Sequence, residues 1–300
     1  MKAMTIAEYG GLEVLELTEQ PRPPIAADQV LVRVRAASVN PIDWRIRSGA
    51  LARFIECDFP VILGREVAGV VEELGSEVAD FAVGDEVFGF LQQTQMKWGS
   101  YAELVPADAY KLALKPAELS FEQAVAIPVS FHTAEQGLFQ HGGLKSGQTV
   151  LIHAAAGAVG SMAVQLAHLA GATVLATASA NNHDHVLGMG ADRVVDYHDD
   201  GFSEQFLADY PGFVDLVLAP FACRSLQGSE PLVCADTRII LLSPVANPAD
   251  MKIGPVESQI MICQADGSAL ARIAPKFVSG EMKVEIAGQF SLEQVAQAQQ

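Results

Sequence analysis

A chain of 300 residues exceeds the span of one ordinary hydrophobic core, so two domains are expected, each able to bury its own interior. Half of the residues are hydrophobic and only 18% are charged, which excludes a disordered chain. The formal net charge of -17, with no local Lys/Arg cluster to reverse it, excludes nucleic acid as a partner, because a phosphate backbone would be repelled.

The opening Met1-Lys2-Ala3-Met4-Thr5 runs into alternating Val and Leu without the apolar core and small-residue cleavage site of a secretory signal, and a cytoplasmic protein is expected. The first third carries short β-rich runs at Val30–Val34, Val67–Val71 and Glu86–Phe90. Turn signals such as Arg22-Pro23-Pro24, Leu74-Gly75-Ser76 and Val83-Gly84-Asp85 separate them. That pattern predicts an antiparallel, partly barrel-like domain over residues 1–120.

At Ser120-Phe121-Glu122-Gln123 a Ser-x-x-Gln capping pattern opens a helix, and from there strands alternate with longer helical stretches. Strands are read at Thr149–His153, Thr173–Ala178, Arg193–Asp196, Phe213–Leu218 and Arg238–Leu242. Such alternation implies a doubly wound parallel sheet and a nucleotide-binding domain over 121–264. Gln148 to Asn182 holds no Asp, Glu, Lys or Arg and is long enough to cross a bilayer. Gly157, Gly160, Gly171, His153, Gln165 and His168 interrupt it, so it reads as a buried β-α-β unit, and no membrane partner is expected.

After Leu242 a loop with Pro244 and Pro248 leads to a helix at Gly267–Ile273. A return strand is expected near Met282–Ile286, and a last capping pattern lies at Ser291-Leu292-Glu293-Gln294. The four cysteines, Cys57, Cys223, Cys234 and Cys263, have no C-x-x-C spacing and are read as reduced thiols.

The strongest local signal is Leu151-Ile152-His153-Ala154-Ala155-Ala156-Gly157-Ala158-Val159-Gly160-Ser161, a strand that runs through a glycine turn into an apolar helix. Gly157 would let the backbone approach a pyrophosphate, and Gly160 would let helix and strand pack closely. Ala155 holds the place of the first glycine of the commoner G-x-G-x-x-G. The place of an acidic residue that would bind both ribose hydroxyls of NAD is held by Ala178 and Ser179. Nothing there repels a 2′-phosphate, and Ser179, Asn181, Asn182 and His183 could bond one, so NADP(H) is the expected cofactor.

These residues, with others along the whole chain, resemble the medium-chain dehydrogenase/reductase superfamily in its zinc-independent, zeta-crystallin-like quinone oxidoreductase branch. Ser38-Val39-Asn40-Pro41-Ile42-Asp43-Trp44-Arg45-Ile46-Arg47-Ser48-Gly49 is similar to that branch's S-x-N-P-x-D-x-x-x-R-x-G. Pro60 to Val71, Val83-Gly84-Asp85-Glu86-Val87 and Gly99-Ser100-Tyr101-Ala102-Glu103 resemble the superfamily's barrel segments, and Ala154 to Ser161 its A-x-x-G-x-x-G loop.

The resemblance implies an α/β protein. A Rossmann doubly wound domain would lie between the two parts of a GroES-like, β-rich substrate domain made from both chain ends, residues 265–300 being the returning part, with a cleft for the nicotinamide. It places Asn40 beside nicotinamide and substrate, as the one residue expected to position the substrate, and Thr133 near the nicotinamide amide. Gly157, Ala158, Val159 and Gly160 would cradle the pyrophosphate, Ser179 and Asn182 would flank the adenosine phosphate, and Tyr197 would pack near it. A homodimer is implied by resemblance alone.

Three departures stand out. Arg45 replaces a tyrosine common in the branch, Ala219-Pro220-Phe221 replaces D-x-x-G-G, and the family's terminal helix and final strand do not follow Gln300, so the C-terminal part reads as shortened. No bound metal is expected, since Ser38-Val39-Asn40 holds the place of the first cysteine zinc ligand and Arg65 that of the histidine. The expected activity is hydride transfer from NADPH to a quinone or an α,β-unsaturated carbonyl. The alternatives are a simple carbonyl or alcohol dehydrogenase and an NADP(H)-binding sensor or structural protein with little turnover.

Overall fold

The structure is a computed structural model that describes residues 1–199, 201–220, 224–242 and 251–300. The expected loop carrying Pro244 and Pro248, together with Phe221 and Cys223, lies outside the described residues. The chain divides into two compact units, Met1–Val129 with Ala265–Gln300, and Ser130–Gln264.

The first unit is built on short strands, antiparallel except for the parallel pair β4–β8: β1 (Lys2–Ile6), β2 (Glu16–Glu19), β3 (Gln29–Ala36), β4 (Glu56–Cys57), β5 (Val61–Ile62), β6 (Glu66–Leu74), β7 (Glu86–Phe90), β8 (Gln95–Met96), β9 (Leu104–Asp108) and β10 (Leu112–Leu114). A sheet in the order β10-β7-β6-β3-β9 forms one wall, and β2-β1-β5 forms a smaller one. Register shifts between Leu31 and Val32 and between Val34 and Ala36 bend β3 against β6, which is how an antiparallel sheet is curled toward a barrel. Val30, Val32, Val67, Val71, Val87 and Val105 fill the interior of this sheet.

Three short helices follow from local chemistry. Helix α1 (Pro41–Arg47) starts where Pro41 presets the backbone after Asn40, and Asn40 and Asp43 close a capping box around its first turn. Helix α2 (Phe121–Val125) begins at the expected cap, with the Gln123 amide donating to Ser120 Oγ at 3.1 Å and Ser120 N donating to Gln123 Oε1 at 2.9 Å. Helix α3 (Pro128–Glu135) again opens on a proline.

The helix expected at Gly267 extends to Val278, capped by Asp266 Oδ1, which accepts from Ala269 N at 3.2 Å. Gly267 is required there, because a Cβ would lie 2.0 Å from the Leu112 carbonyl oxygen. The expected return strand near Met282–Ile286 does not form. Met282 is buried and its amide donates to the Lys276 carbonyl at 2.9 Å, whereas Ile286 is exposed and the segment pairs with no strand among the described residues, so the alternating pattern stays irregular. The capping pattern at Ser291 produces one short turn, Leu292–Gln294, and then Val295–Ala298.

The second unit holds β11 (Thr149–Ile152), helix α4 (Ala158–Leu169), β12 (Thr173–Thr177), β13 (Arg193–Val195), β14 (Leu216–Ala219), β15 (Arg238–Leu241), the hairpin of β16 (Lys252–Ile253) and β17 (Val256–Glu257), and β18 (Gln259–Ile260). Among the described residues, one sheet runs β13-β12-β11-β14-β15-β18 with every pairing parallel. Counted from β11 this is the order 3-2-1-4-5-6 of a doubly wound dinucleotide-binding sheet, whose ligand site lies where the order reverses, at the C-terminal end of the first strand.

The strand expected at Phe213–Leu218 begins only at Leu216. Phe213 is exposed, and Asp215 turns its carboxylate onto Thr149 N at 2.8 Å. Buried strand residues on both faces, Val150, Leu151, Ile152, Val174, Leu175, Val217 and Leu218 among them, explain why this region reads as continuously apolar. No helix among the described residues is long and apolar enough to cross a membrane.

Candidate active site and cofactor cradle

In the second unit the chain leaves β11 at His153, turns at Ala154 and enters α4 at Ala158. Ala154 adopts φ +52, a left-handed conformation that a residue with a Cβ rarely takes. Its carbonyl accepts from Gly157 N at 3.0 Å, and Ala155 N donates to Thr177 O at 3.0 Å, which fixes the turn against β12. Ala155, in the place of the usual first glycine, is fully buried, and its methyl is accommodated.

The two glycines differ in kind. A Cβ on Gly160 would lie 2.2 Å from the Ala154 carbonyl oxygen and 2.7 Å from Ala155 Cα, so helix and turn can approach only without it. A Cβ on Gly157 would meet nothing nearer than Ala154 O at 3.3 Å, and its φ of -78 asks for no glycine. No side chain caps the helix, so the first N–H groups of α4 are available to an anion from outside the chain. Those residues fit a pyrophosphate.

His153 is buried between Thr177 Oγ1, 2.9 Å from Nδ1, and Ser229 Oγ, 2.9 Å from Nε2. Burial pushes its pKa down to about 3, so it is a neutral packing group.

The end of β12 carries the residues expected at the adenosine. Ala178 is buried, while Ser179 is half-buried and Ala180 exposed, so Ser179 is the position from which a side chain can reach a ribose. Asn182 Nδ2 donates to Ser179 Oγ at 3.0 Å. Asp196, at the end of β13, shapes this loop and was not singled out by the sequence. Its Oδ2 accepts from Ala180 N at 2.9 Å and its Oδ1 from His198 N at 2.9 Å, contacts that hold its pKa below the usual carboxylate range. Tyr197 follows, 39% exposed, its ring 4.1 Å from that of His198. Thr133 on α3 is buried, and its hydroxyl donates to Cys263 Sγ at 3.3 Å.

The first unit contains a buried polar cluster beneath Asn40. Glu66, at the start of β6, is 2% exposed. Its Oε2 accepts from the Ser38 hydroxyl and from Asn40 Nδ2 at 2.7 Å, and its Oε1 accepts from Val129 N at 2.6 Å. Asn40 Nδ2 is also 2.8 Å from Ser38 Oγ. Asp43, fully buried, accepts from Asn40 N at 2.8 Å and from the Tyr101 hydroxyl at 3.0 Å.

Burial raises both carboxyls, Glu66 to about 7 and Asp43 to about 6, against the opposing pull of their hydrogen bonds. The Tyr101 phenol is raised well above its ordinary value by the same burial and by Asp43. Arg65 is buried, with its guanidinium over the Phe90 ring at 5.3 Å and donating to Gln93 O at 3.3 Å. Arg45 lies over Trp44 at 5.8 Å. The sequence points to Asn40 and does not single out Glu66. Its role under Asn40 was hidden because its three partners lie 28, 26 and 63 positions away in the chain.

A β-rich unit with a buried acid cluster, together with a unit of dinucleotide-binding strand order, defines a two-domain protein of nucleotide-dependent oxidoreductase architecture. Residues 26–117 match the Alcohol dehydrogenase GroES-like domain family and residues 158–229 the Zinc-binding dehydrogenase family. An Arabidopsis thaliana protein described as a chloroplastic NADPH-dependent alkenal/one oxidoreductase is 32% identical over 99% of this chain and 75% of its own length. The Homo sapiens quinone oxidoreductase is 31% identical over 99% of this chain and 92% of its own. The solved quinone oxidoreductase of Coxiella burnetii, 31% identical, superposes with a TM-score of 0.87 over 99% of this chain and 94% of that one. The chain belongs to the medium-chain dehydrogenase/reductase superfamily, in its quinone oxidoreductase branch.

Proposed function

We propose that this chain is a zinc-independent, NADPH-dependent reductase of conjugated acceptors, delivering hydride to a quinone or to the β-carbon of an α,β-unsaturated carbonyl. The observation that carries the cofactor half is the uncapped N-terminus of α4, reached through a turn that only Gly160 permits, at the C-terminal end of the first strand of a 3-2-1-4-5-6 sheet. In this reading Gly157, Ala158, Val159 and Gly160 bind the pyrophosphate through backbone N–H groups. Ser179, Asn182 and Tyr197 hold the adenosine phosphate, and Thr133 and Asn40 lie at the nicotinamide end. Bound there, NADPH supplies the hydride.

The substrate half follows from the donor set of the first unit. A serine hydroxyl at Ser38, tied to Glu66, and a buried guanidinium at Arg65 are not zinc ligands, so the residues present do not fit a catalytic zinc. Reducing a simple ketone without such an electrophile leaves a full charge on one oxygen, which costs several kcal/mol of transition-state stabilisation. In an enone or quinone the charge spreads over the conjugated system, and water can protonate the resulting enolate. The protein then has to bind, orient and exclude water.

An NADPH oxidation assay with matched pairs tests this: an enone against its saturated ketone, and a quinone against a simple aldehyde. Only the conjugated member of each pair should react, and equal turnover of both members would overturn the reading. One tightly held zinc per chain in elemental analysis would overturn its zinc-independent part. Preference for NADPH over NADH should reverse in Ser179→Asp, which places a carboxylate where the ribose is read. Family resemblance also supports a cytoplasmic homodimer, which sedimentation of the purified protein and fractionation of cells check.

A further inference from the structure

We propose that His183 and His198 supply the positive charge that meets the 2′-phosphate of NADPH, so that the preference for this cofactor over NADH is set by the protonation of two imidazoles. From Gln148 to Gln205 the sequence contains one Lys or Arg, Arg193, and that guanidinium is paired with Asp209 at 2.9 Å. This stretch of a chain of net charge -17 can offer backbone N–H groups to the pyrophosphate, but it offers the third phosphate no uncommitted permanent cation. Both histidines are tied to the turn at Ser179. His183 Nε2 donates to the Ala178 carbonyl at 3.2 Å, just before Ser179. His198 Nδ1 donates to Asp196 Oδ1 at 2.7 Å, and the other oxygen of that carboxylate accepts from Ala180 N at 2.9 Å, just after Ser179. The two rings are thus anchored on either side of the residue whose side chain can reach the ribose.

The tautomers follow from these contacts. A carbonyl and a carboxylate only accept, so each neutral imidazole carries its hydrogen on the nitrogen that faces the protein. Among the described residues no hydrogen bond engages His183 Nδ1 or His198 Nε2. These second nitrogens are acceptors while the ring is neutral and become donors when it is protonated. A 2′-phosphate dianion only accepts, so the neutral rings offer it nothing and the imidazolium rings offer it charge-assisted hydrogen bonds. The other titratable groups of this segment are Asp184, His185, Asp196, Tyr197 and Asp199, and their carboxylates make a phosphate beside neutral rings still less favourable. NADH has no group at this place and is indifferent to the proton. The inference rests on the NADP(H) reading of the cradle and deepens it by naming the residues that read the third phosphate.

The test titrates the whole protein calorimetrically with NADP+ and with NAD+, which differ only in the 2′-phosphate, in buffers of different ionisation enthalpy between about pH 6.5 and 8.5. If the bound phosphate favours the imidazolium, binding must draw protons onto the protein, and by linkage affinity must fall as pH rises. The phosphate cannot mimic this, because its second ionisation lies near pH 6 and at about pH 7.5 it arrives as a dianion. NADP+ should therefore take up more protons than NAD+ at about pH 7.5. The ratio of the NAD+ to the NADP+ dissociation constant should fall about tenfold from the lower to the higher pH, the worth of one charge-assisted hydrogen bond.

His183→Gln and His198→Gln supply the decisive contrast, since each keeps an N–H able to bond Ala178 O or Asp196 and loses the charge. Either variant should reduce the extra proton uptake and flatten the pH dependence of the ratio, and the double variant should abolish both. A merely structural role at the Ser179 turn would weaken the two nucleotides alike and leave the proton uptake in place. The inference is overturned if NADP+ and NAD+ take up protons equally in the unmodified protein, if the folded double variant keeps the extra uptake, or if either single variant leaves it unchanged. Failure of NADP+ to bind at any pH would remove the cofactor reading with it, whereas a preference for NADP+ that does not change with pH would remove the inference alone.

Discussion

The two units solve the burial of polar groups in opposite ways. The first unit buries two carboxyls, Glu66 and Asp43, and gives them hydroxyl, amide and backbone donors, with Asp43 Oδ1 left without a hydrogen-bond partner among the described residues. The second buries an imidazole, His153, held neutral between two hydroxyls, and otherwise packs its sheet with apolar side chains. The first therefore depends on which groups are protonated. The second depends on backbone geometry at one turn, where Ala154 takes a left-handed conformation and Gly160 admits no side chain. Polar preorganisation near Asn40 and steric preorganisation near α4 are thus separable properties.

The largest effect should come from breaking the steric side. Gly160→Val forces a Cβ into the Ala154 carbonyl, and the protein should lose at least about a hundredfold in NADPH affinity, or about 3 kcal/mol, if it folds at all. Gly157→Ala meets only a 3.3 Å contact, so its thermal midpoint should stay close to that of the unmodified protein while NADPH binding weakens. Titration and thermal unfolding of both variants would separate close packing from close approach of a ligand. Equal loss of stability in the two would break the distinction.

The second prediction sets the units against each other in pH. Glu66 has a folded pKa of about 7, above its ordinary 4.5, so the folded protein holds a proton that the unfolded chain has lost, and this group's contribution to stability falls as pH rises from 4.5 through 7. Between pH 7.5 and 5.5 the first unit should gain about 2 kcal/mol from Glu66, with Asp43 acting in the same direction. His153 has a folded pKa of about 3, below its ordinary 6.5, so the unfolded chain binds the extra proton and stability falls as pH drops from 6.5 toward 3. By pH 5.5 the second unit should have lost on the order of 1 kcal/mol. Amide hydrogen exchange, corrected for intrinsic rates, reads each unit separately. The slowest amides of the first unit should gain protection on going to pH 5.5 while those of the second lose it. Glu66→Gln should flatten most of the first trend and leave the second untouched.

The smallest effect sharpens the geometric side alone. Ala154→Gly relieves the left-handed strain but adds freedom to the unfolded chain, and the balance should be a gain of about 0.5 kcal/mol, visible as a higher denaturant midpoint at unchanged slope. A loss of stability would show that the Ala154 methyl has a role the turn geometry does not reveal.

Much of this protein is determined by its sequence through short-range rules. The strand, glycine turn and helix from Thr149 to Leu169, the cap at Ser120, and the alternation that makes a parallel sheet are legible because periodicity, capping and turn chemistry act over a few residues. The S-x-N-P-x-D segment pointed to Asn40 in the same local way. What tertiary structure alone decided lies at longer range: that β3 and β6 bring Ser38 and Glu66 together under Asn40, that Asp196 closes the loop after β12, and that the alternating pattern at Met282–Ile286 finds no strand to join among the described residues. The physical reason is common to all three. A strand needs an edge and a buried carboxyl needs donors, and both are supplied by chain segments whose distance in sequence carries no signal until the chain has folded.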